Sequence, residues 1–154
     1  MTESLPPSFE PNESLTHDAC HPRLLAHLGD AVYELFVREQ ALAYAVSCGT
    51  QQLDTVHRYS VNRVKSVFQQ RLLQWVQPQL TDAEATIVRR ARNMQQTTRK
   101  RHEQTAHRQA TSFEALIGYL YLCDRERLHW LFEQIRPFVC DPDALNDALD
   151  GVGD

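Results

Sequence analysis

From Thr111 to Leu122 the chain reads TSFEALIGYLYL, and past its first turn apolar side chains would occupy every side of a helix wound at ~100° per residue. Such a helix has no face to offer water, so other elements must enclose it. The rest of the chain narrows what those elements are. No stretch sustains a period-two alternation, Asn-Gly is absent, and only 5 of 154 residues are Gly, so strands have no clear place. The expected fold is all-α, one bundle of about six or seven helices around a single core, which suits a chain of this length.

From Leu24, apolar residues at 24, 28, 31, 35 and 42 trace one stripe of a long first helix, with Asp30 and Glu34 on the opposite side. A second helix is expected from Gln51 to Val76, with Leu53, Val56, Val64, Val67, Phe68 and Trp75 on one face. Arg58, Arg63 and Lys65 fall off that core face, and Pro78 ends the helix. TDAE, Thr81 to Glu84, has the capping-box spacing and starts a third helix, Asp82 to Met94. QQTTRKRHEQTAHRQ lacks an apolar stripe and reads as a loop or a poorly packed helix. A last amphipathic helix turns Leu128, Leu131, Phe132 and Ile135 inward and ends at Pro137. Residues 1–16, with three prolines, and 141–154, with five Asp, read as a flexible N-terminal and an acidic C-terminal tail around a folded 17–140.

The net charge of −4 is unevenly spread. Arg89, Arg90, Arg92, Arg99, Lys100, Arg101 and Arg108 share their segment with one acid, Glu103, which gives it +6 against −10 for the remainder. One basic patch on an acidic body suits a polyanion, or is simply a solvated charge run. Cys20, Cys48, Cys123 and Cys140 show no C-x-x-C pairing and read as reduced, mostly buried thiols. HDACH, His17 to His21, sets two imidazoles four residues apart, but structural zinc takes about four ligands and no second pair follows. No window reaches the ~18 apolar residues of a spanning helix. The N-terminus also lacks the basic start and apolar run of a secretory signal, so a cytoplasmic protein without a membrane partner is expected.

Between Leu24 and Tyr33 the only formal charge is Asp30, and between Gln109 and Cys123 the only one is Glu114. A carboxylate taken out of water is costly unless it gains a cation, a metal or good hydrogen bonds. Two such helices in one core can bring both groups together, where a divalent cation would offset the repulsion of the ionised forms. A hard ion such as Mg²⁺ accepts one or two protein carboxylates and keeps its other sites for water and phosphate. Other readings stand beside this one. TSFE is itself a capping-box spacing, which would send Glu114 back to the amide of Thr111, and Asp30 has Arg23 and Arg38 within pairing distance in sequence.

LLAHLGDAVYELFVR, followed some eighty residues later by SFEALIGYLYL, resembles the ribonuclease III catalytic domain. The Tyr-Glu after GDAV is similar to its short bacterial branch, Mini-ribonuclease III. VRRARN, 88–93, and HRYSVNRVKS in the second helix extend the resemblance to about residues 20–135. The resemblance implies an all-α endonuclease domain that dimerises with itself and cuts double-stranded RNA with Mg²⁺ or Mn²⁺, leaving 5′-phosphate and 3′-hydroxyl ends. In the short branch the task is maturation of the precursor of large-subunit (23S) ribosomal RNA, with a ribosomal protein as a further candidate partner. Carried over by motif, Asp30 and Glu114 are the metal-binding, catalytic carboxylates. Two further carboxylates of the larger enzymes are replaced by Ala26 and Thr111, which puts a two-metal site in doubt.

The acidic 141–154 segment is too short for a separate double-stranded-RNA-binding domain, so RNA contacts are expected from Arg89, Arg90, Arg92, Asn93, Arg99, Lys100, Arg101 and Arg108. The rival to the nuclease is a non-catalytic RNA- or ribosome-binding protein on the same fold. A third reading, a helical protein-interaction module, predicts no salt-dependent RNA binding.

Overall fold

The computed structural model describes residues 12, 14–94 and 101–151. They form seven α-helices and no strand: α1 (Pro22–Ser47), α2 (Leu53–Val64), α3 (Ser66–Val76), α4 (Asp82–Arg92), α5 (Arg101–Cys123), α6 (Arg125–Cys140) and α7 (Pro142–Asp150). The all-α expectation holds. α5 is the enclosed helix: Phe113, Leu116, Ile117 and Leu120 meet Tyr33 and Val37 of α1, Leu72 and Val76 of α3, Val88 of α4, Leu131 and Ile135 of α6, and Leu145 of α7 in one core. Among the described residues no helix is long and apolar enough to cross a membrane.

Local signals set several helix ends. Pro22 at the first turn suits a position whose N–H has no helical partner, and His21 Nδ1 accepts from the Arg23 amide at 3.2 Å. That gives one imidazole of HDACH a capping task. At the other end of α1, Gly49 takes φ +67°, while its N–H and that of Thr50 close on Val46 and Ala45 carbonyls. The Thr81–Glu84 capping box forms as expected, and Asp124 accepts from the Arg127 amide at the start of α6.

Several expectations are corrected. The first helix turns its other side to the core: Leu25, Ala26, Gly29, Tyr33, Phe36, Val37 and Ala41 are buried, whereas Leu24, Leu35 and Leu42 are 59 %, 56 % and 59 % exposed. α1 is apolar on two faces, and the stripe that periodicity traces from Leu24 is the outward one. The single helix expected over 51–76 is broken at Lys65, whose ψ of 143° is extended, and Leu53 and Val67 point outward. Arg63 is no surface charge. It lies over the Tyr59 ring, its Nη1 donates to Tyr59 O at 3.0 Å, and its Nε donates to Val139 O at 2.5 Å.

α6 continues three residues past Pro137, because a helix loses only one bond at a proline and this one sits in the last turns. The acidic C-terminal segment is in its described part a helix, α7, which buries Leu145 completely; the flexible N-terminal tail expected over 1–16 lies mostly outside the described residues. Cys48, Cys123 and Cys140 are exposed thiols rather than buried ones, and Cys20 is half-buried.

Candidate active site

Two glycines set the distance between the helices that carry the carboxylates. A Cβ on Gly29 of α1 would lie 1.7 Å from the carbonyl oxygen of Glu114, and one on Gly118 of α5 would lie 2.0 Å from that of Leu25. The two backbones therefore touch, with Asp30 next to the contact on one helix and Glu114 at it on the other. Ala26 and Ala115 fill the crossing together with Leu25, Ile87 and Ala91, so the position where larger relatives of the motif would hold a third carboxylate is packed with a methyl group.

The capping-box alternative for Glu114 does not apply. Thr111 lies ten residues inside α5, and its Oγ1 donates to His107 O at 2.8 Å. Glu114 is half-buried on the helix, and burial, followed by the charge of Asp30, pushes its carboxyl up to about 7, while the Gln69 side chain favours the ionised form. Asp30 is the more open member: its residue is exposed, so only Glu114 meets the expectation of a carboxylate withdrawn from water. Partial loss of hydration and then the Glu34 charge still raise Asp30, while His27 opposes them. Arg38 does not serve Asp30 but pairs with Glu34 at 2.7 Å.

This donor set fits a hard divalent cation. Two carboxylates disfavour each other's ionisation, and a 2+ charge between them reverses that preference. Carboxylate oxygens are hard donors, the kind that a hard divalent cation takes one or two of while keeping its other sites for water and phosphate.

The basic patch is only partly in view. Arg89, Arg90 and Arg92 are exposed in the last turn of α4, with Asn93 as the exposed C-cap, a placement that also complements the negative end of the helix dipole. Ala91, between them, packs against Ala26 and Ala115, so this cationic turn lies beside the α1–α5 crossing. Arg99, Lys100 and the side chain of Arg101 lie outside the described residues. Arg108 is half-buried, and its Nε meets no acceptor among the described residues.

A family model for the ribonuclease III domain matches residues 23–125, a span that runs from α1 into α6 and contains both carboxylates and the α4 turn. The chain belongs to the ribonuclease III family. Among curated relatives, a Mini-ribonuclease 3 of Desulfitobacterium hafniense is 39 % identical over 120 residues, 77 % of this chain and 74 % of that protein. One of Synechococcus sp. is 42 % identical over 114 residues, covering 74 % and 79 % respectively. One of Thermoanaerobacter sp. is 38 % identical over 138 residues, covering 86 % and 94 %. A crystal structure of a Fusobacterium nucleatum protein superposes with a TM-score of 0.65 at 25 % identity, covering 74 % of this chain and 91 % of that one. As a ribonuclease III domain of the Mini-ribonuclease 3 branch, the chain is an endoribonuclease.

Sequence reasoning missed three parts of the site. Gly29 was signalled by its position inside a long apolar helix, where glycine is unfavourable without a packing reason. Gly118 carries the same signal in α5. Gln69 stands in helical phase with Leu72, Leu73 and Val76, the buried face of α3, so a polar side chain on a core position was there to be read.

Proposed function

We propose that this ribonuclease III domain cleaves double-stranded RNA as a homodimer, using Mg²⁺, or Mn²⁺ in its place, held by Asp30 and Glu114. The observation that carries the reading is the pairing of these two carboxylates across the Gly29–Gly118 crossing, beside the basic turn of α4. A divalent cation bound there supplies Lewis acidity at the scissile phosphate and lowers the pKa of a bound water. The chain's own residues do the rest. Asp30, open to solvent, faces the incoming phosphate, while half-buried Glu114 is fixed by its helix. Arg89, Arg90 and Arg92, with Asn93, grip backbone phosphates of the duplex and set its register. Arg99, Lys100, Arg101 and Arg108 extend the patch in this reading. The products carry 5′-phosphate and 3′-hydroxyl ends.

The exposed stripe of Leu24, Leu35 and Leu42 on α1 supports self-association, since large apolar side chains in a row on a soluble surface mark a contact site. A second copy seated there would present two carboxylate pairs to one duplex. The substrate in the cell is the precursor of 23S ribosomal RNA, met in the cytoplasm, with a ribosomal protein as presenter of the RNA.

The test is incubation with long double-stranded RNA in Mg²⁺, alongside Asp30→Asn and an EDTA control. Discrete cleavage lost in both controls is expected. Tight, salt-dependent binding without cleavage in Mg²⁺ or Mn²⁺ would favour the non-catalytic RNA-binding reading instead.

A further inference from the structure

Lys65 stands where a lysine does nothing for the fold. It is the N-cap of α3, its backbone is extended, and its side chain gives the helix no cap. The amides of Ser66, Val67 and Phe68 find no acceptor among the described residues. Ser, Thr, Asp or Asn at this position would accept from them, whereas an ammonium group adds charge to the positive end of the helix. Lys65 is exposed, and its Nζ donates to Asn62 Oδ1 at 3.1 Å. It pairs with no carboxylate among the described residues.

This joint is pinned to the turns that carry the carboxylates. Tyr33, one turn beyond Asp30 on α1, donates from Oη to Arg63 O at 2.6 Å and stands edge-on to Phe113, the residue before Glu114. Gln69 Nε2 donates to Val64 O at 3.0 Å, which brings the carboxamide to the N-terminus of α3. Gln69 is 2 % exposed, and its Oε1 has no donor among the described residues. The place therefore offers amide and ammonium donors to an acceptor, and holds one buried acceptor for a donor. The backbone of duplex RNA carries both, phosphate oxygens that accept and 2′-hydroxyls that donate.

We infer that Lys65 and the N-terminus of α3 form a second grip on the RNA backbone: one phosphate accepts from the Lys65 ammonium and the first amides of α3, and the neighbouring 2′-hydroxyl donates to Gln69 Oε1, directly or through one water. The inference rests on the duplex-RNA reading of this chain and is independent of the metal. The basic turn of α4 meets the α1–α5 crossing through Ala26 and Ala115, whereas this grip meets the same two helices through Tyr33 and Phe113. The duplex is thus held at two separate points of the crossing.

The test is binding of duplex RNA in EDTA, followed across a range of salt concentrations. Lys65→Gln is expected to reduce the slope of log affinity against log salt by about one, the signature of one lost phosphate contact, and to weaken binding about tenfold at ~0.1 M salt. Arg58→Gln removes the same charge from an exposed residue of α2 that pairs with Asp54 at 3.4 Å, and is expected to leave the slope unchanged. Lys65→Asp supplies the missing cap, so its melting temperature is expected to rise while RNA binding falls further than in Lys65→Gln, which separates a lost contact from a damaged fold. Methylation of the 2′-oxygens keeps the phosphates and removes the donors, and is expected to weaken the wild type more than it weakens Gln69→Met. An unchanged slope in Lys65→Gln, a loss that Arg58→Gln shares, or methylation that costs both proteins equally would overturn the inference. A wild type that shows no salt-dependent binding of duplex RNA would instead remove the RNA reading and this inference with it.

Discussion

Gly29 and Gly118 lie against each other where α1 crosses α5, so close that a Cβ on Gly29 would come within 2.8 Å of the Gly118 nitrogen and 1.7 Å of Glu114 O. Neither atom belongs to a flexible side chain, so a larger residue must push the helices apart. Gly29→Ala is expected to cost about 3 kcal/mol, at the high end of overpacking, despite alanine's better helix propensity. Cleavage should fall more steeply than the folded fraction, because the crossing sets the Asp30–Glu114 spacing. Urea denaturation alongside an RNA-cleavage rate per folded molecule reads both effects. An alanine variant of undiminished rate would show that the spacing has slack.

Glu114 gives a pH signature without metal. Its carboxyl sits at about 7 in the fold against an ordinary 4.5, so between those values the folded protein holds a proton that the unfolded chain has released. Its contribution to stability is full below the unfolded value and is lost as pH rises through the folded one. In EDTA, the wild type should lose roughly 2–3 kcal/mol between pH 4.5 and pH 8 relative to Glu114→Gln, since a proton held by the fold alone is worth about 1.36 kcal/mol for each pH unit between the two values. Saturating Mg²⁺ should return much of that loss at the upper pH. Parallel denaturation curves for the two proteins across this window would contradict the withdrawal of Glu114 from water.

Glu84 shows a buried carboxylate in a different role. It is 3 % exposed, closes the capping box on the Thr81 amide at 3.0 Å and receives Arg127 Nε at 2.7 Å and Nη2 at 3.2 Å. Arg127 also stacks on Trp130, so α4 and α6 are tied through one side chain. Arg127→Met should destabilise the protein by about 3 kcal/mol, because it strands a buried charge. Glu84→Gln, which keeps part of the cap, should cost less. Both variants, assayed well below their melting temperatures, should cleave RNA at the wild-type rate; a large rate loss in either would give this ion pair a part in the site.

The exposed α1 stripe predicts a separation of folding from assembly. Leu35 is 56 % exposed, so Leu35→Glu removes little that the single chain buries. Its melting temperature at low protein concentration should stay within a few degrees of the wild type, while sedimentation velocity is expected to report dimers for the wild type and monomers for the variant. Dimers that persist in Leu35→Glu would move the self-association surface off α1.

Much of this was legible in the sequence because it is local. A capping box needs only four residues, and Thr81–Glu84 formed as read. Helix content follows from periodicity, and the enclosed character of 111–122 follows from a segment without a polar face. The isolation of Asp30 and Glu114 among uncharged neighbours is also a one-dimensional fact, and it singled out the residues that the fold brings to one crossing. What tertiary structure alone decided are choices between local solutions of similar energy. Periodicity found an apolar stripe on α1, but Ala26, Gly29 and Tyr33 face inward because they fit against α5, Phe36 because it stacks on Phe132 of α6, and Leu24, Leu35 and Leu42 are left outside. The chain bends at Lys65 because Tyr33 and Gln69, from elsewhere in the fold, satisfy the carbonyls that the bend frees. Glu114 became a half-buried group beside Asp30 rather than a cap because α5 begins ten residues before Thr111, and its burial depends on helices far away in the chain.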